Sequence, residues 1–280
     1  MAAAAGETVR IVREGDRDRY LSVLFAPEGK RPALFALYAF NVEIARVRDL
    51  IHEPMPGEIR LQWWRDAILG ETPAAGNPVA DALVGAIREY DLPPAAFDNF
   101  LEARLFDLYD DPMPSRTDLE GYCGETASAL IQLAGLVLDR DAAPATADLA
   151  GHAGCAQAMT GMLRSLPIHL ARGQCYIPRD ILSAAGTSPE ELVADKGAGP
   201  AGKRAVAAMI ALAREHFGKF EEGAGALPPS LRPAYLPAAL AADYLAILSK
   251  ASVDPFKEIA DISPLRRTLA MVRRAFFGWR

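Results

Sequence analysis

Apolar residues recur at helical spacing along nearly the whole chain, and this recurrence limits the possible folds more than any other feature. Steps of three and four residues place such side chains on one face of an α-helix. No segment shows the sustained period-two alternation of β-branched residues that is typical of strands. We therefore predict an all-α fold. Clear examples of the helical spacing are Leu83, Ile87 and Tyr90; Phe97, Phe100, Leu101 and Leu105; and Leu130, Leu133, Ala134 and Val137.

The helical segments follow one another without a long polar linker. Short turns rich in proline and glycine separate them, and no repeat of fixed period is present. A chain of 280 residues can bury about three quarters of its unfolded surface in one core. We therefore predict a single helical domain over residues 1–280.

Composition excludes several classes of protein. The net charge of −6 argues against a general nucleic-acid binder, because nothing offsets repulsion from the phosphates. The three cysteines are far apart and form no CxxC pair, so neither a disulfide framework nor a zinc site is supported. The longest apolar run, Ala205 to Ala213, is far shorter than the ~20 residues of a membrane span. With no secretory signal at Met1–Gly6, we expect a cytoplasmic protein.

The composition changes only at the carboxyl end of the chain. Residues 264–280 contain five arginines and no acidic residue, and their apolar residues fall on or near one helical face. A basic amphipathic helix of this kind can lie peripherally on an anionic membrane, here the inner membrane. The alternative is a last helix that docks on the domain and leaves its arginines in solvent. The apolar residues are Leu265, Leu269, Val272, Phe276 and Phe277, with Trp279 near the end.

Three segments in a fixed order resemble the squalene/phytoene synthase family. They are residues 31–40 (RPALFALYAF), residues 120–127 (EGYCGETA) and residues 156–178 (AQAMTGMLRSLPIHLARGQCYIP). The resemblance extends from about residue 19 to about residue 248. It implies the isoprenoid synthase fold, in which helices surround a central cavity, and an ancestry among head-to-head prenyl transferases.

The resemblance also implies two aspartate-rich motifs, because ionisation of a diphosphate requires Mg²⁺ bound to carboxylates. In this chain the first motif falls on Ala45, Arg46 and Asp49, and the second on Ser165 and His169. Only Asp49 is an acid, and Arg46 places a cation where a metal ion would bind. We therefore expect no catalytic residue, no metal site and no cofactor.

The cavity itself is expected to remain. Pro167 lies inside the helix of the second motif, where a proline ends or kinks a helix and would shift His169. The alternative is an active prenyl transferase that holds Mg²⁺ through atypical ligands such as Glu120 or Glu125. The residues predicted to line the cavity are Asn41, Glu43, Ala45, Arg46, Asp49, Arg164, Ser165 and His169.

The departures from the family pattern resemble one branch of the family, which contains mitochondrial respiratory complex I assembly factor 6. They occur at residues 39–43 and 163–169, with Gln62-Trp63-Trp64 between them. The resemblance implies a non-catalytic protein, here a bacterial relative, whose partners are complex I subunits or assembly intermediates. A third hypothesis is a lipid-binding cavity, in which Arg46 or Arg172 meets an anionic head group of an isoprenoid without a metal.

Overall fold

The computed structural model describes residues 2–51, 53–70, 76–195 and 199–279. These ranges contain helices and turns but no β-strand, and 77% of the structure is helical, so the all-α prediction is confirmed. None of the helices in these ranges combines the length and the hydropathy that a membrane span requires. The helices are α1 (Ala2–Gly15), α2 (Arg17–Val23), α3 (Arg31–Ala45), α4 (Val47–Leu50), α5 (Pro54–Leu69), α6 (Pro78–Tyr90), α7 (Pro94–Leu105), α8 (Arg116–Cys123), α9 (Ala129–Leu138), α10 (Ala147–Arg164), α11 (Leu166–Ala171), α12 (Arg179–Ala185), α13 (Pro189–Ala194), α14 (Pro200–Ala224), α15 (Arg232–Tyr235), α16 (Ala241–Leu248) and α17 (Pro264–Phe277). Short 3₁₀ turns lie at Glu28–Lys30, Phe106–Leu108, Ala143–Thr146, Pro229–Leu231 and Ala238–Leu240, and a π-helical turn lies at Gly124–Ser128.

The chain divides into two compact units. Unit 1 consists of Met1–Tyr109, Ala129–Ala147 and Leu227–Pro237. Unit 2 consists of Asp110–Ser128, Asp148–Ala226 and Ala238–Arg280. A single domain over residues 1–280 and a central cavity both stay predictions.

Helix α3 forms the centre of unit 1. Alanine and large apolar residues fill almost all of its positions, so it is buried on nearly every side, and α1 and α6 pack against it. Phe40 contacts the rings of Trp64, Phe97 and Phe100 at centroid distances of 5.2, 5.7 and 5.2 Å. Burial of four large aromatic side chains in one cluster stabilises this end of α3 strongly. The cluster fixes the position of the residues that follow Phe40.

Unit 2 is built around the long helix α14, against which α12 and α16 pack. Helix α10 lies very close to the π-helical turn, because a Cβ added to Gly154 would overlap the backbone nitrogen of Ser128. The Ser128 hydroxyl donates a hydrogen bond of 3.0 Å to the carbonyl oxygen of Gly151. Glycine at position 154 is therefore required by the packing of α10.

The helix that carries the second motif is interrupted, as the sequence predicts. Helix α10 ends at Arg164, and α11 begins at Leu166 with Pro167 as its second residue. A proline has no N–H to donate to the preceding turn. The prediction that Pro167 ends or kinks this helix is confirmed, and Ser165 is the residue between the two helices.

The basic carboxyl-terminal helix is present as α17, Pro264–Phe277, while Arg280 lies outside the described residues. Its orientation differs from the expectation of solvated arginines. Arg267 is only 4% exposed and Met271 is fully buried, whereas Leu269 is 58% exposed. The expectation is therefore wrong for Arg267, which pairs with Asp261 of a neighbouring loop, and this ion pair offsets part of the cost of burying the charge.

Candidate functional site

Asn41 and Glu43 lie in the last two turns of α3, in unit 1. The buried Asn41 accepts a hydrogen bond of 3.4 Å through Oδ1 from the Arg104 guanidinium. The half-buried Glu43 pairs with Arg60, with 3.4 Å between Oε2 and Nη2. Both side chains contact a guanidinium, and a cation at this distance would repel a metal ion bound to the same oxygen.

Ala45, Arg46 and Asp49 lie at the end of α3 and in α4, and all three are exposed. The backbone N–H of Asp49 donates to the carbonyl oxygen of Arg46 at 3.0 Å. The Arg46 side chain reaches back over Gly15, since its Nη2 lies 3.5 Å from the place of a Cβ there. The only carboxylate of the first motif therefore lies one turn beyond a guanidinium, on the surface.

Arg164 lies at the end of α10, in unit 2, where a loop and a ring hold its guanidinium. Nε donates 2.9 Å to the carbonyl oxygen of Ala260, and Nη2 lies 3.5 Å from Oδ1 of Asp261. The guanidinium carbon stacks on the Tyr244 ring at 3.6 Å from its centroid. A planar guanidinium suits stacking and hydrogen bonding at once. Arg164 therefore joins α10 to α16 and to the loop before α17.

Ser165 and His169 lie at the break between α10 and α11. The carbonyl oxygen of Ser165 accepts from the backbone N–H of His169 at 3.0 Å, so the two residues are joined through the main chain. The edge of the half-buried His169 ring meets the Tyr176 ring at 4.8 Å between centroids. His169 also borders a small pocket in unit 2, which is otherwise lined by Met162, Leu163, Leu166, Tyr176, Ile177 and Met209.

Glu120, one of the acids that could replace the lost ligands, has partners of its own. Oε1 accepts from Nε of Arg116 at 2.8 Å and from Nε2 of His216 at 3.0 Å. Burial raises the pKa of this carboxyl, but the two hydrogen bonds outweigh it and leave the pKa below its ordinary value. Arg116 also pairs with Glu215 at 3.1 Å. The other substitute, Glu125, is exposed.

Within unit 2, a pair of histidines adjoins Glu120. Nδ1 of His152 lies 3.0 Å from Nδ1 of His216. Because a carboxylate only accepts, His216 donates through Nε2 to Glu120, and its Nδ1 then accepts from His152. Burial, followed by repulsion from His216, lowers the pKa of His152. No sequence signal predicts this pair, since its members are 64 residues apart on α10 and α14.

The sequence profile of the family described as "Squalene/phytoene synthase" matches residues 12–273. The chain belongs to this family. The squalene/phytoene synthase profile thus covers α2 to α16 entirely and most of α17, which confirms the resemblance predicted from three short segments.

Relatives of two kinds share this sequence. "NADH dehydrogenase (ubiquinone) complex I, assembly factor 6" of Rattus norvegicus is 30% identical over 272 residues, covering 91% of this chain and 79% of the relative. "Presqualene diphosphate synthase" of Sinorhizobium fredii is 28% identical over 210 residues, covering 72% of each chain. One group of squalene/phytoene synthase relatives is thus named for complex I assembly and another for prenyl chemistry.

Solved structures of two synthases share the fold of this chain. A crystal structure of a dehydrosqualene synthase with a ligand has a TM-score of 0.81 at 18% identity, covering 97% of this chain and 95% of that chain. The squalene synthase HpnC from Alicyclobacillus acidocaldarius has a TM-score of 0.71 at 22% identity, covering 87% of this chain and 92% of that chain. The predicted isoprenoid synthase fold is confirmed.

The residues at the motif positions do not fit the Mg²⁺ that the squalene/phytoene synthase fold implies. Mg²⁺ requires several oxygen ligands in near-octahedral geometry, and carboxylates supply most of the charge. Ser165 has a neutral hydroxyl, His169 packs against a tyrosine ring, and Arg46 is a cation. Throughout the described ranges, no group of three or more His, Cys, Asp or Glu side chains is arranged to hold a metal ion.

Proposed function

We propose that this chain is a non-catalytic squalene/phytoene synthase family member that acts in the assembly of respiratory complex I, the NADH dehydrogenase. The observation that carries the proposal is the second motif position. There Ser165 and His169 replace carboxylates, and the neighbouring Arg164 is engaged in packing contacts. The relatives named as complex I assembly factors support the biological process.

The proposed partners are complex I subunits or assembly intermediates, and the proposed location is the cytoplasmic face of the inner membrane, as a peripheral protein. The support is the resemblance to the assembly factors and the basic helix α17. In this role the protein acts as a scaffold. By binding an assembly intermediate but not the final complex, it would stabilise that intermediate by mass action.

We propose in addition that an isoprenoid or another lipid is a ligand of this scaffold. The pocket beside His169 is lined mainly by methionine, leucine and isoleucine side chains, together with Tyr176. This apolar lining is the support for a hydrocarbon ligand, but the pocket has room for about one water molecule, so a lipid chain would enter only after these side chains move apart. Binding of this kind requires no metal ion, so EDTA leaves it unchanged.

The alternative is an active prenyl transferase of the squalene/phytoene type that condenses isoprenoid diphosphates with atypical metal ligands. The similarity to a presqualene diphosphate synthase favours it, as does the retained Asp49. In that case Mg²⁺ would be required, with Asp49 as the retained acid and Glu120 or Glu125 as the atypical ligands.

A binding and turnover assay separates these hypotheses. Farnesyl diphosphate is titrated into the purified protein with Mg²⁺ or with EDTA, and products are analysed in the same samples. The proposal predicts no product and no effect of the metal on binding. Metal-dependent binding with product at an ordinary enzymatic rate would contradict it.

Complementation tests the biological role. A strain of the source organism without this chain should contain less assembled complex I and lower NADH–quinone reductase activity. Asp49→Ala and Glu125→Ala should each restore both quantities as well as the wild-type chain does, because neither acid is used in chemistry. Normal complex I without the chain would disprove the assembly role, and failure of both variants at normal protein levels would favour the enzyme.

A further inference from the structure

Helix α17 is attached to unit 2 through the face that carries two of its arginines. Nη2 of Arg267 lies 2.6 Å from Oδ1 of Asp261, and Nη2 of Arg274 lies 3.0 Å from Oε1 of Glu221. Between them the fully buried Met271 packs into the unit. A buried arginine is stabilised only when it is paired, and Arg267 meets this condition.

The opposite face of α17 is apolar and faces outward. Four residues at positions i, i+4, i+7 and i+11 form one stripe along it. Leu265 is 69% exposed, Leu269 is 58% exposed and Phe276 is 70% exposed, and Val272 between them is half-buried. Phe277, next to the stripe, is 76% exposed. Such exposure of large apolar side chains on one helix is unusual in a soluble surface and indicates an interaction site.

Positive charge lies along one edge of this stripe. Arg266 and Arg273 are both exposed, are one heptad apart and therefore lie on the same side of the helix as Phe277. Asp243 pairs with Arg266 at 2.7 Å and offsets part of that charge. Residues 264–280 contain no acid, although the whole chain carries a net charge of −6. Asp261 and Glu221 likewise pair with Arg267 and Arg274, so Arg273 carries most of the positive charge of this edge.

We infer that the outer face of α17 docks on a bilayer that contains anionic lipid. The leucine and phenylalanine side chains enter the boundary between head groups and acyl chains, and Arg273 with Arg266 meets the lipid phosphates. An apolar stripe with a cationic edge matches the two features of an anionic lipid surface, an apolar interior and negatively charged phosphates. This inference rests on the peripheral location proposed above, to which it adds the lipid class and the contacting residues.

The attachment to unit 2 fixes which way the helix faces. Oδ1 of Asp261 lies 2.6 Å from Arg267 and 3.5 Å from Arg164, so one carboxylate joins α17 to the end of α10. At the other end of the helix the ring of Trp279 meets Phe220 of α14 at 5.5 Å between centroids. Because both ends are held, the apolar stripe is presented before any lipid is bound, and little ordering entropy is lost on docking.

Vesicle co-sedimentation of the full-length protein tests this surface. The protein is mixed at low salt with vesicles of phosphatidylcholine alone or of phosphatidylcholine with phosphatidylglycerol. Leu265→Ser/Leu269→Ser should lower partitioning onto the anionic vesicles about tenfold, because two inserted side chains are lost. Arg273→Gln should lower it about fivefold, and only on the anionic vesicles.

The matched control is Met55→Ser/Ile59→Ser on α5. These residues are also four apart on an exposed helix, with 72% and 65% of their surfaces exposed, and their replacement should leave partitioning unchanged. Thermal unfolding of both double variants checks that exposed substitutions leave the fold intact. The inference is overturned if the wild-type chain stays in the supernatant, if it binds both vesicle types equally, or if the α17 double variant pellets like the wild type.

The vesicle assay is independent of the assembly role. Binding to anionic vesicles together with normal complex I in the deletion strain would support the lipid surface and contradict the assembly function. Size-exclusion chromatography covers one further possibility. A wild-type dimer that Leu265→Ser/Leu269→Ser dissociates, without any vesicle binding, would overturn the inference in favour of a second copy of this chain.

Discussion

The two regions that correspond to the lost metal motifs differ in what their replacement residues do. At the end of α3, Arg46 and Asp49 are exposed on the surface of unit 1. At the end of α10, Arg164 is held by a backbone carbonyl, a carboxylate and a tyrosine ring, and His169 packs against Tyr176. Of the carboxylates that the family resemblance implies, the first region keeps only Asp49 and the second keeps none, and only the second has packing contacts in their place.

The two regions should therefore differ in how much their residues contribute to the stability of the fold. Exposed residues contribute little to the free energy of unfolding, so the first region can change its charges without an effect on the fold. The second region supports the loop before α17 through Arg164, and any carboxylate placed there would have to coexist with these contacts. We therefore expect substitutions near the end of α10 to affect stability and matched substitutions near the end of α3 to have almost no effect.

The largest expected effect is that of Gly154→Ala, which tests whether α10 is held tightly in unit 2. The new methyl group would overlap the backbone of Ser128, and a backbone can move only with its helix. Overpacking of this kind lowers the free energy of unfolding by about 1–3 kcal/mol or more. Urea unfolding followed by circular dichroism measures the change.

Gly161→Ala in the same helix is the control for Gly154→Ala. No atom lies within 4 Å of its added Cβ, so the substitution meets open space. Alanine is the better helix former and should raise the free energy of unfolding by about 0.5–1 kcal/mol. If the two substitutions changed the free energy of unfolding equally, the close approach of Gly154 to Ser128 would not contribute to stability.

Arg164→Ala and Arg46→Ala compare the two regions directly. Arg164→Ala removes a charged donor from the buried residue Ala260, an ion pair with Asp261 and a stacking contact, and should lower the free energy of unfolding by about 2 kcal/mol. Arg46→Ala removes an exposed side chain and should change it by less than about 0.5 kcal/mol. Thermal and urea unfolding of both variants measure the difference. If Arg46→Ala is the more damaging of the two, the contrast between the regions is wrong.

Much of the fold could be predicted from the sequence, because helices and their breaks depend on local signals. Apolar spacing predicts the helices, and the missing N–H of Pro167 predicts the break between α10 and α11. The order of three short segments predicts the family and its fold. The same segments predict the loss of the metal ligands, since that depends only on which residue stands at each position.

Other features depend on contacts between distant residues, which the sequence does not display. The amphipathic pattern predicts α17 but not which face is buried, because Arg267 is turned inward by Asp261 of the preceding loop. The pairing of His152 with His216 likewise arises from the packing of α10 against α14. Arg164 was predicted to line a cavity, and its contacts with Tyr244 and Ala260 come from segments about 80 and 96 residues further along the chain.

The smallest expected effect concerns pH and the histidine pair of unit 2. The folded state lowers the pKa of His152 below 6.5, first through burial and then through His216 and Lys219 on α14, while Asp148 on α10 and Glu120 on α8 oppose this. The unfolded chain therefore binds a proton more readily than the folded chain, and the free energy of unfolding falls as the pH drops below 6.5.

His152→Gln should reduce this pH dependence, since glutamine takes up no proton on unfolding. Urea unfolding at pH about 7.5 and about 5.5, on either side of the ordinary histidine pKa, should give a smaller loss of stability for the variant than for the wild type. Glu120 does not interfere, because its lowered pKa causes a loss of stability only as the pH falls below 4.5. A wild-type chain equally stable at both pH values would mean that protonation of His152 does not destabilise the folded state. The comparison of the two regions would then rest on Arg164 and Gly154 alone.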